Sequence, residues 1–330
     1  MAMTAGAADL REHRSKARAP RSRGRTIDIA FVNNMPDNAL HSTERQFRAA
    51  LHAAAGQTSV RLHLFALPAI TRGEEVARHI ASEYGSFDAL LSRSFDALIV
   101  TGNEPRARRL DDEPYWNDLT RLVDWADANT RSSLWSCLAA HAAVLHLHGI
   151  ERRCLGAKLS GVFECGIDRL DPLMESVSPR IAVPHSRWNE VGRKDLLANG
   201  YRILSESGDA GVDMFTLQKR SRFIFLQGHP EYDTDSLLRE YRRDVGRFLR
   251  GEADFYPNEP ANYFNPEASA ILRAFRRRAL ANRNPQLFDV FPNVASPFAI
   301  TNRWRPNNEL IYRNWIDQIV VAGTSTTAAP

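Results

Sequence analysis

Ser132-Ser133-Leu134-Trp135-Ser136-Cys137-Leu138-Ala139-Ala140-His141-Ala142-Ala143-Val144-Leu145-His146 passes from a short β-prone stretch into an Ala/Leu-rich helix that stops near Gly149, a C-cap residue by type. Cys137 falls at the elbow. A side chain at a strand-to-helix elbow is pushed up out of the fold, and the amides that follow it point at the same spot. The helix dipole behind a cysteine so placed favours the thiolate. A lone cysteine beside an apolar run is more often packing than chemistry, so the reading needs a partner.

Gln227-Gly228-His229-Pro230-Glu231-Tyr232 supplies one, at the end of the apolar run Phe223-Ile224-Phe225-Leu226. A histidine is useful as a base because its ordinary pKa lies near the working pH and because one ring nitrogen can be anchored while the other takes a proton. Glu231, two residues on, is the candidate anchor. A lone His-Pro is more often a turn. Cysteine and histidine together, each at a strand end and with a carboxylate at a suitable offset, point instead to a nucleophile, its base and the group that orients the base.

Outward from these two strands, short apolar segments alternate with amphipathic helices from Thr26 onward, the pattern of an α/β fold whose mainly parallel sheet carries helices on both faces, flavodoxin-like in kind. Strands are expected at 27–32, 59–65 and 95–100, the last the most deeply buried, with helices at 45–54 and about 114–129. After Gly149 shorter β-prone pieces follow, at 161–164, 181–183 and 213–217, before the Phe223 strand and a helix over about 233–250. Residues 257–306 are rich in Pro and Asn and read as only partly regular, with a basic amphipathic helix at 271–282 presenting a solvated face.

The chain has 330 residues and a formal net charge of +4. Residues 1–25 hold seven Arg or Lys against Asp9 and Glu12, so the remainder is close to neutral and offers no basic face for nucleic acid. That basic tail reads as disordered, 26–320 as a single catalytic domain, and 321–330 as a flexible tail. No apolar run approaches the roughly 20 residues that span a bilayer, so no membrane partner and a cytoplasmic location are expected. Three cysteines, Cys137, Cys154 and Cys165, make neither a disulfide framework nor a metal-ligand pattern. No metal and no permanently bound cofactor is expected, and a homodimer is compatible with the reading.

Taken in order, Asn34-Met35-Pro36, Thr101-Gly102, Tyr115-Trp116, Cys137, Lys158-Leu159-Ser160-Gly161-Val162-Phe163-Glu164, Pro184-His185-Ser186-Arg187, Gly228-His229-Pro230-Glu231-Tyr232-Asp233 and Asn314-Trp315 resemble the homoserine O-acyltransferase family, usually called homoserine O-succinyltransferases. The resemblance runs from roughly residue 26 to 320. It implies a class I glutamine amidotransferase-like fold and transfer of an acyl group from acyl-CoA, the co-substrate, to the hydroxyl of homoserine, an early step of methionine biosynthesis. The family's nucleophile matches Cys137, its base His229 and its orienting carboxylate Glu231. By the same resemblance Arg243 binds the acceptor carboxylate, Ser186 lies near the substrate, and Lys158 lies near the nucleophile or the acyl donor. The oxyanion donors expected are the Leu138 amide and one from the Gly102-Asn103 turn.

Each of these has a plainer alternative: a surface ion pair with Glu240 or Asp244 for Arg243, a solvated loop for Lys158, a turn after Pro184 for Ser186. The chain also departs from the family pattern. Asp37-Asn38 follow the Met-Pro pair where lysine is frequent, His141 stands where glutamine is usual, and 265–291 looks inserted. Arg106 occupies a position that in the family helps select the acyl chain. It could pair bidentately with a succinyl carboxylate or face solvent with Arg108 and Arg109. The alternatives to homoserine acylation are acylation of serine or another hydroxy-amino acid, and a glutamine amidotransferase-like hydrolase. Against the last, the elbow lacks the glycines that flank the cysteine in many glutaminases.

Overall fold

The computed structural model describes residues 26–295, 300 and 302–325, so the basic segment 1–25 and residues 326–330 lie outside the described residues. Along the chain run β1 (Thr26–Val32), α1 (Asp37–Ala55), β2 (Ser59–Phe65), α2 (Glu74–Glu83), α3 (Phe87–Leu91), β3 (Ala97–Val100), α4 (Trp116–Asn129), β4 (Ser132–Ser136) and α5 (Leu138–His148). Then come β5 (Arg153–Ile167), β6 (Arg180–Glu190), α6 (Arg193–Ala198), β7 (Arg202–Ser207), β8 (Gly211–Gln218), β9 (Arg222–Leu226), α7 (Ser236–Leu249), α8 (Pro266–Ala281) and α9 (Arg305–Ser325).

The described strands form one sheet in the order β2-β1-β3-β4-β9-β8-β7-β5-β6. Its first five strands are parallel, and from β9 onward every pairing is antiparallel. The parallel half is the expected α/β core. The antiparallel half grows out of the β-prone pieces after Gly149, and two of them are far longer than their apolar centres: β5 and β6 pair from Arg153–Glu190 to Gly166–Arg180, with a register break between Cys154 and Leu159.

A parallel strand covered on both faces must be apolar on both, and β1 is. Ala30 and Val32 join Leu98, Val100, Trp135 and Phe225 in a core closed by α4 and α5, while Ile27, Ile29 and Phe31 join Ile99, Leu134 and Ile224 in a second core closed by α1 and α9. α1 starts at Asp37, a turn and more before the expected Arg45, with its first acidic residue on the positive end of the helix dipole. α9 was not expected at all, and it carries the chain through Ser325, past the boundary set for a C-terminal tail. Ile311, Tyr312, Trp315, Ile316 and Ile319 form its buried stripe. Asn314 and Trp315 fasten it: Asn314 Nδ2 donates to the carbonyls of Leu173 and Glu175 at 3.0 and 2.9 Å, and Trp315 Nε1 donates to Ser132 Oγ at 2.9 Å.

The expected amphipathic helix of the segment after Asn265 is present and starts earlier than residue 271. α8 begins at Pro266, where Asn265 caps it by accepting from the Ala268 amide at 2.8 Å. As expected of an amphipathic helix, it turns Arg273, Arg276, Arg277 and Arg278 to solvent, and it buries Ala268, Leu272, Phe275 and Ala279 in a third core with Leu237, Tyr241, Val245 and Phe248 of α7. That core braces α7, which borders the site described next.

Candidate active site

Cys137 sits between the last residue of β4 and the first of α5 with φ 52° and ψ −112°, a backbone state rare for a non-glycine residue. Both flanks hold it there. Its amide donates to the Leu226 carbonyl at 2.7 Å, continuing the β4–β9 pairing one residue further, and its own carbonyl accepts from Ala140 N at 3.0 Å to open the helix. The side chain is only partly buried, unlike that of Cys165.

His229 and Glu231 follow the end of the adjacent strand β9. Gly228 makes that placement possible by its lack of a side chain: a Cβ there would stand 2.5 Å from Asp213 Oδ1 and 2.6 Å from Val183 Cγ1. The His229 amide donates to the Pro184 carbonyl at 2.8 Å, and its Nδ1 lies 2.9 Å from Glu231 Oε1. The ring stacks on Tyr232, with centroids 4.3 Å apart and planes inclined by 17°. With Nδ1 committed to Glu231, Nε2 is the nitrogen left for the cysteine, and the Cys137 sulfur lies close enough to bear on the charge of the ring. Burial pulls the His229 pKa down, but the Glu231 carboxylate and then the Cys137 sulfur outweigh it and hold it well above the ordinary histidine value. The arrangement can pair a cysteine nucleophile with an imidazole that takes up and returns a proton.

The expected oxyanion elements meet at the same point. A Cβ on Gly102 would stand 2.6 Å from Leu138 Cβ and 3.0 Å from the Leu138 amide nitrogen, so the turn after β3 lies directly against the first residue of α5. Asn34 holds the root of that turn, its amide donating to Thr101 Oγ1 at 2.8 Å and its Nδ2 to the Thr101 carbonyl at 3.1 Å. Asn103 accepts from the Glu104 amide at 2.8 Å, and Glu104 reaches Arg247 on α7 at 3.0 and 3.1 Å. Gly102→Ala is therefore expected to displace the turn from α5, lowering kcat by about 10² to 10³, with an overpacking cost of about 1–3 kcal/mol in denaturant unfolding. A variant of parental kcat would remove the turn from the oxyanion site.

Lys158 and Ser186 occupy neither a loop nor a turn. They lie on the paired strands β5 and β6, and both reach α7. Lys158 Nζ donates to Glu240 Oε2 at 3.1 Å and Asp244 Oδ2 at 2.8 Å, and Ser186 Oγ donates to the same Glu240 oxygen. Tyr232, whose ring carries His229, donates its hydroxyl to the other oxygen of Glu240. Burial would raise the Glu240 pKa, but Lys158, Ser186, Tyr232 and Arg243 overcome it and bring it to about 2. Arg243 pairs with Asp244 at 2.8–2.9 Å, so the ion pair weighed for it exists, on the same helix face as Glu240 and Arg247. Arg106 is exposed on the loop after Asn103, its amide donating to Glu113 Oε1 at 2.6 Å.

Sequence reasoning gives Glu240 and Asp244 only as surface partners for Arg243, and misses their link to Lys158 and Ser186 and the stacking role of Tyr232, because these depend on α7 facing the β5–β6 pair. It marks His141 only as standing where glutamine is usual. That side chain points into the interior, donating to Gln227 Oε1 at 2.9 Å, and burial drives its pKa down to about 3. Gln227 in turn ties β9 to Val191 and Val212.

The sequence pattern of the family described as "Homoserine O-succinyltransferase" matches residues 11–326. The chain is similar to a homoserine O-succinyltransferase of Rhodopseudomonas palustris, 49% identical over 292 residues that cover 88% of each protein. A homoserine O-succinyltransferase of Bradyrhizobium japonicum is 46% identical over 297 residues, 88% of this chain and 89% of that one. Among solved structures, a glutamine amidotransferase from Thermotoga maritima superposes with a TM-score of 0.46 at 11% identity, over 89% of this chain and 98% of that one.

Proposed function

The chain belongs to the homoserine O-succinyltransferase family, and from that membership we propose that it carries a succinyl group from succinyl-CoA to the hydroxyl of L-homoserine through a thioester on Cys137. The observation that carries the reading is the relay itself, with Cys137 at its elbow beside an imidazole whose Nδ1 lies 2.9 Å from Glu231.

In the first half-reaction the Cys137 thiolate attacks the thioester carbonyl carbon. The oxyanion that forms is received by the Leu138 amide and by the Gly102-Asn103 turn packed against it. Collapse breaks the carbon–sulfur bond to coenzyme A, whose thiolate takes the proton from the His229 imidazolium. In the second half-reaction neutral His229 accepts the hydroxyl proton of homoserine as its oxygen attacks the acyl-enzyme. Expulsion of the Cys137 thiolate restores the starting ion pair. The acceptor is a zwitterion, and the mixed-charge face formed by Lys158, Glu240, Arg243 and Asp244 beside the His229–Tyr232 stack matches both of its charges. Exposed Arg106, three residues after Asn103, favours a donor that ends in a carboxylate.

The test is to mix the protein with succinyl-CoA or acetyl-CoA, and with homoserine or serine, while following free thiol. The expected result is fastest thiol release with succinyl-CoA and homoserine. Ammonia release from glutamine, with no thiol from any acyl-CoA, would make the protein a hydrolase of the amidotransferase kind.

A further inference from the structure

We propose that His41, Glu44 and His79 form a binding site for a divalent transition-metal ion of the zinc class, on the flank of the molecule between α1 and α2. One ligand atom from each residue falls within a set whose members all lie within 4.8 Å of one another. His41 and Glu44 are three residues apart on α1, hence on one helix face, and His79 comes across from α2. The two imidazoles approach to 4.3 Å between centroids with planes inclined by 59°. His79 Nε2 stands 3.3 Å from Glu44 Oε2.

A tetrahedral zinc ion with bonds of about 2.0–2.1 Å separates its ligand atoms by roughly 3.3–3.5 Å. One edge of that tetrahedron is already at this length. Rotamer adjustment of His41, which is exposed, brings in the third ligand and gives the ion its path from solvent. The carboxylate is held from behind, as metal-binding carboxylates are. Arg48 Nε engages Glu44 Oε1 at 3.0 Å, and the Tyr84 hydroxyl donates to Oε2 at 3.2 Å while accepting from Asn33 Nδ2 at 3.2 Å. Two imidazoles and one carboxylate select zinc, nickel or copper over magnesium or calcium. Three protein ligands leave the fourth position to water. The cluster shares no direct hydrogen bond with the Cys137 relay. Cysteine spacing, the basis for expecting no metal, could not reveal it, since His79 lies 38 positions from His41 in the sequence.

The experiment uses the untagged full chain, titrated with Zn²⁺ against a chromophoric chelator, with Co²⁺ as a spectroscopic substitute. One equivalent of Zn²⁺ is expected to bind, and Co²⁺ to show the visible d–d absorption of a four-coordinate site. Affinity should fall at least about 100-fold in His41→Ala and in His79→Ala, and about 10- to 100-fold in Tyr84→Phe, which loses only the outer partner. His52→Ala, on an exposed face of α1, should bind as the parent does. His41 is exposed, so its variant will fold. Absence of Zn²⁺ binding by the parent would overturn the site. So would binding that survives both histidine substitutions, as it would if the ion sat on the thiols of Cys137 or Cys154.

Discussion

Cys137→Ala is expected to reduce acyl transfer by a factor on the order of 10⁶, the scale on which a triad enzyme loses turnover when its nucleophile is removed, and to eliminate any acyl adduct trapped by acid quench. Neither neighbouring residue can substitute. Ser136, the residue before it, is buried at the end of β4, and Leu138, the residue after it, carries no nucleophilic atom. Fold should survive, because alanine removes one sulfur that is only partly buried. Mass spectrometry of the quenched protein after mixing with succinyl-CoA provides the check. An adduct that persists in Cys137→Ala would put the nucleophile elsewhere, and Cys154, exposed on β5, would be the next place to look.

Glu231→Gln is expected to lower kcat by about 10⁴, the loss seen when the carboxylate behind a catalytic histidine becomes an amide. The cause lies in the His229 pKa. Burial alone would drive it down, and the Glu231 charge is the largest influence holding it up. With the carboxylate gone, imidazolium is disfavoured and the resting thiolate loses its counter-ion. The same shift has a stability signature. A histidine whose folded pKa is raised above its unfolded value of about 6.5 contributes stability that is fully present below that value and is lost as pH rises through the folded pKa. The stability gap between parent and Glu231→Gln should therefore be widest in acid and narrow as pH climbs above the ordinary histidine range. Denaturant unfolding across that range would measure it. A gap independent of pH, or kcat within about tenfold of the parent, would mean that Glu231 does not set the protonation of His229.

Much of the site was legible because its members are tied to strand ends. Cys137 is marked by the change from β-prone to helical residues, and His229 by the end of an apolar run, and both signals are local. Lys158, Ser186 and Arg243 were reached only through resemblance, and their surroundings were not legible. Lys158 finds Glu240 across 82 residues and Ser186 finds it across 54. No periodicity within one segment encodes a meeting of three. The 233–250 helix was read from its pattern, but which residues of its face look toward His229 depends on how α7 docks, and that docking is braced by α8.

The sequence by itself determined the parallel half of the sheet, the elbow at Cys137 and the His229–Glu231 spacing, since apolar period, helix stop signals and short offsets act within a few residues of chain. Tertiary structure alone decided four things: that β5 through β8 extend the same sheet antiparallel, that α9 covers its second face, that Gly102 lies against Leu138, and that His41, Glu44 and His79 meet. The physical reason is common to all four. Burial of apolar surface is non-directional and rewards any compact pairing, so which distant segments touch is fixed by the packing of the whole chain and by no property of either segment alone.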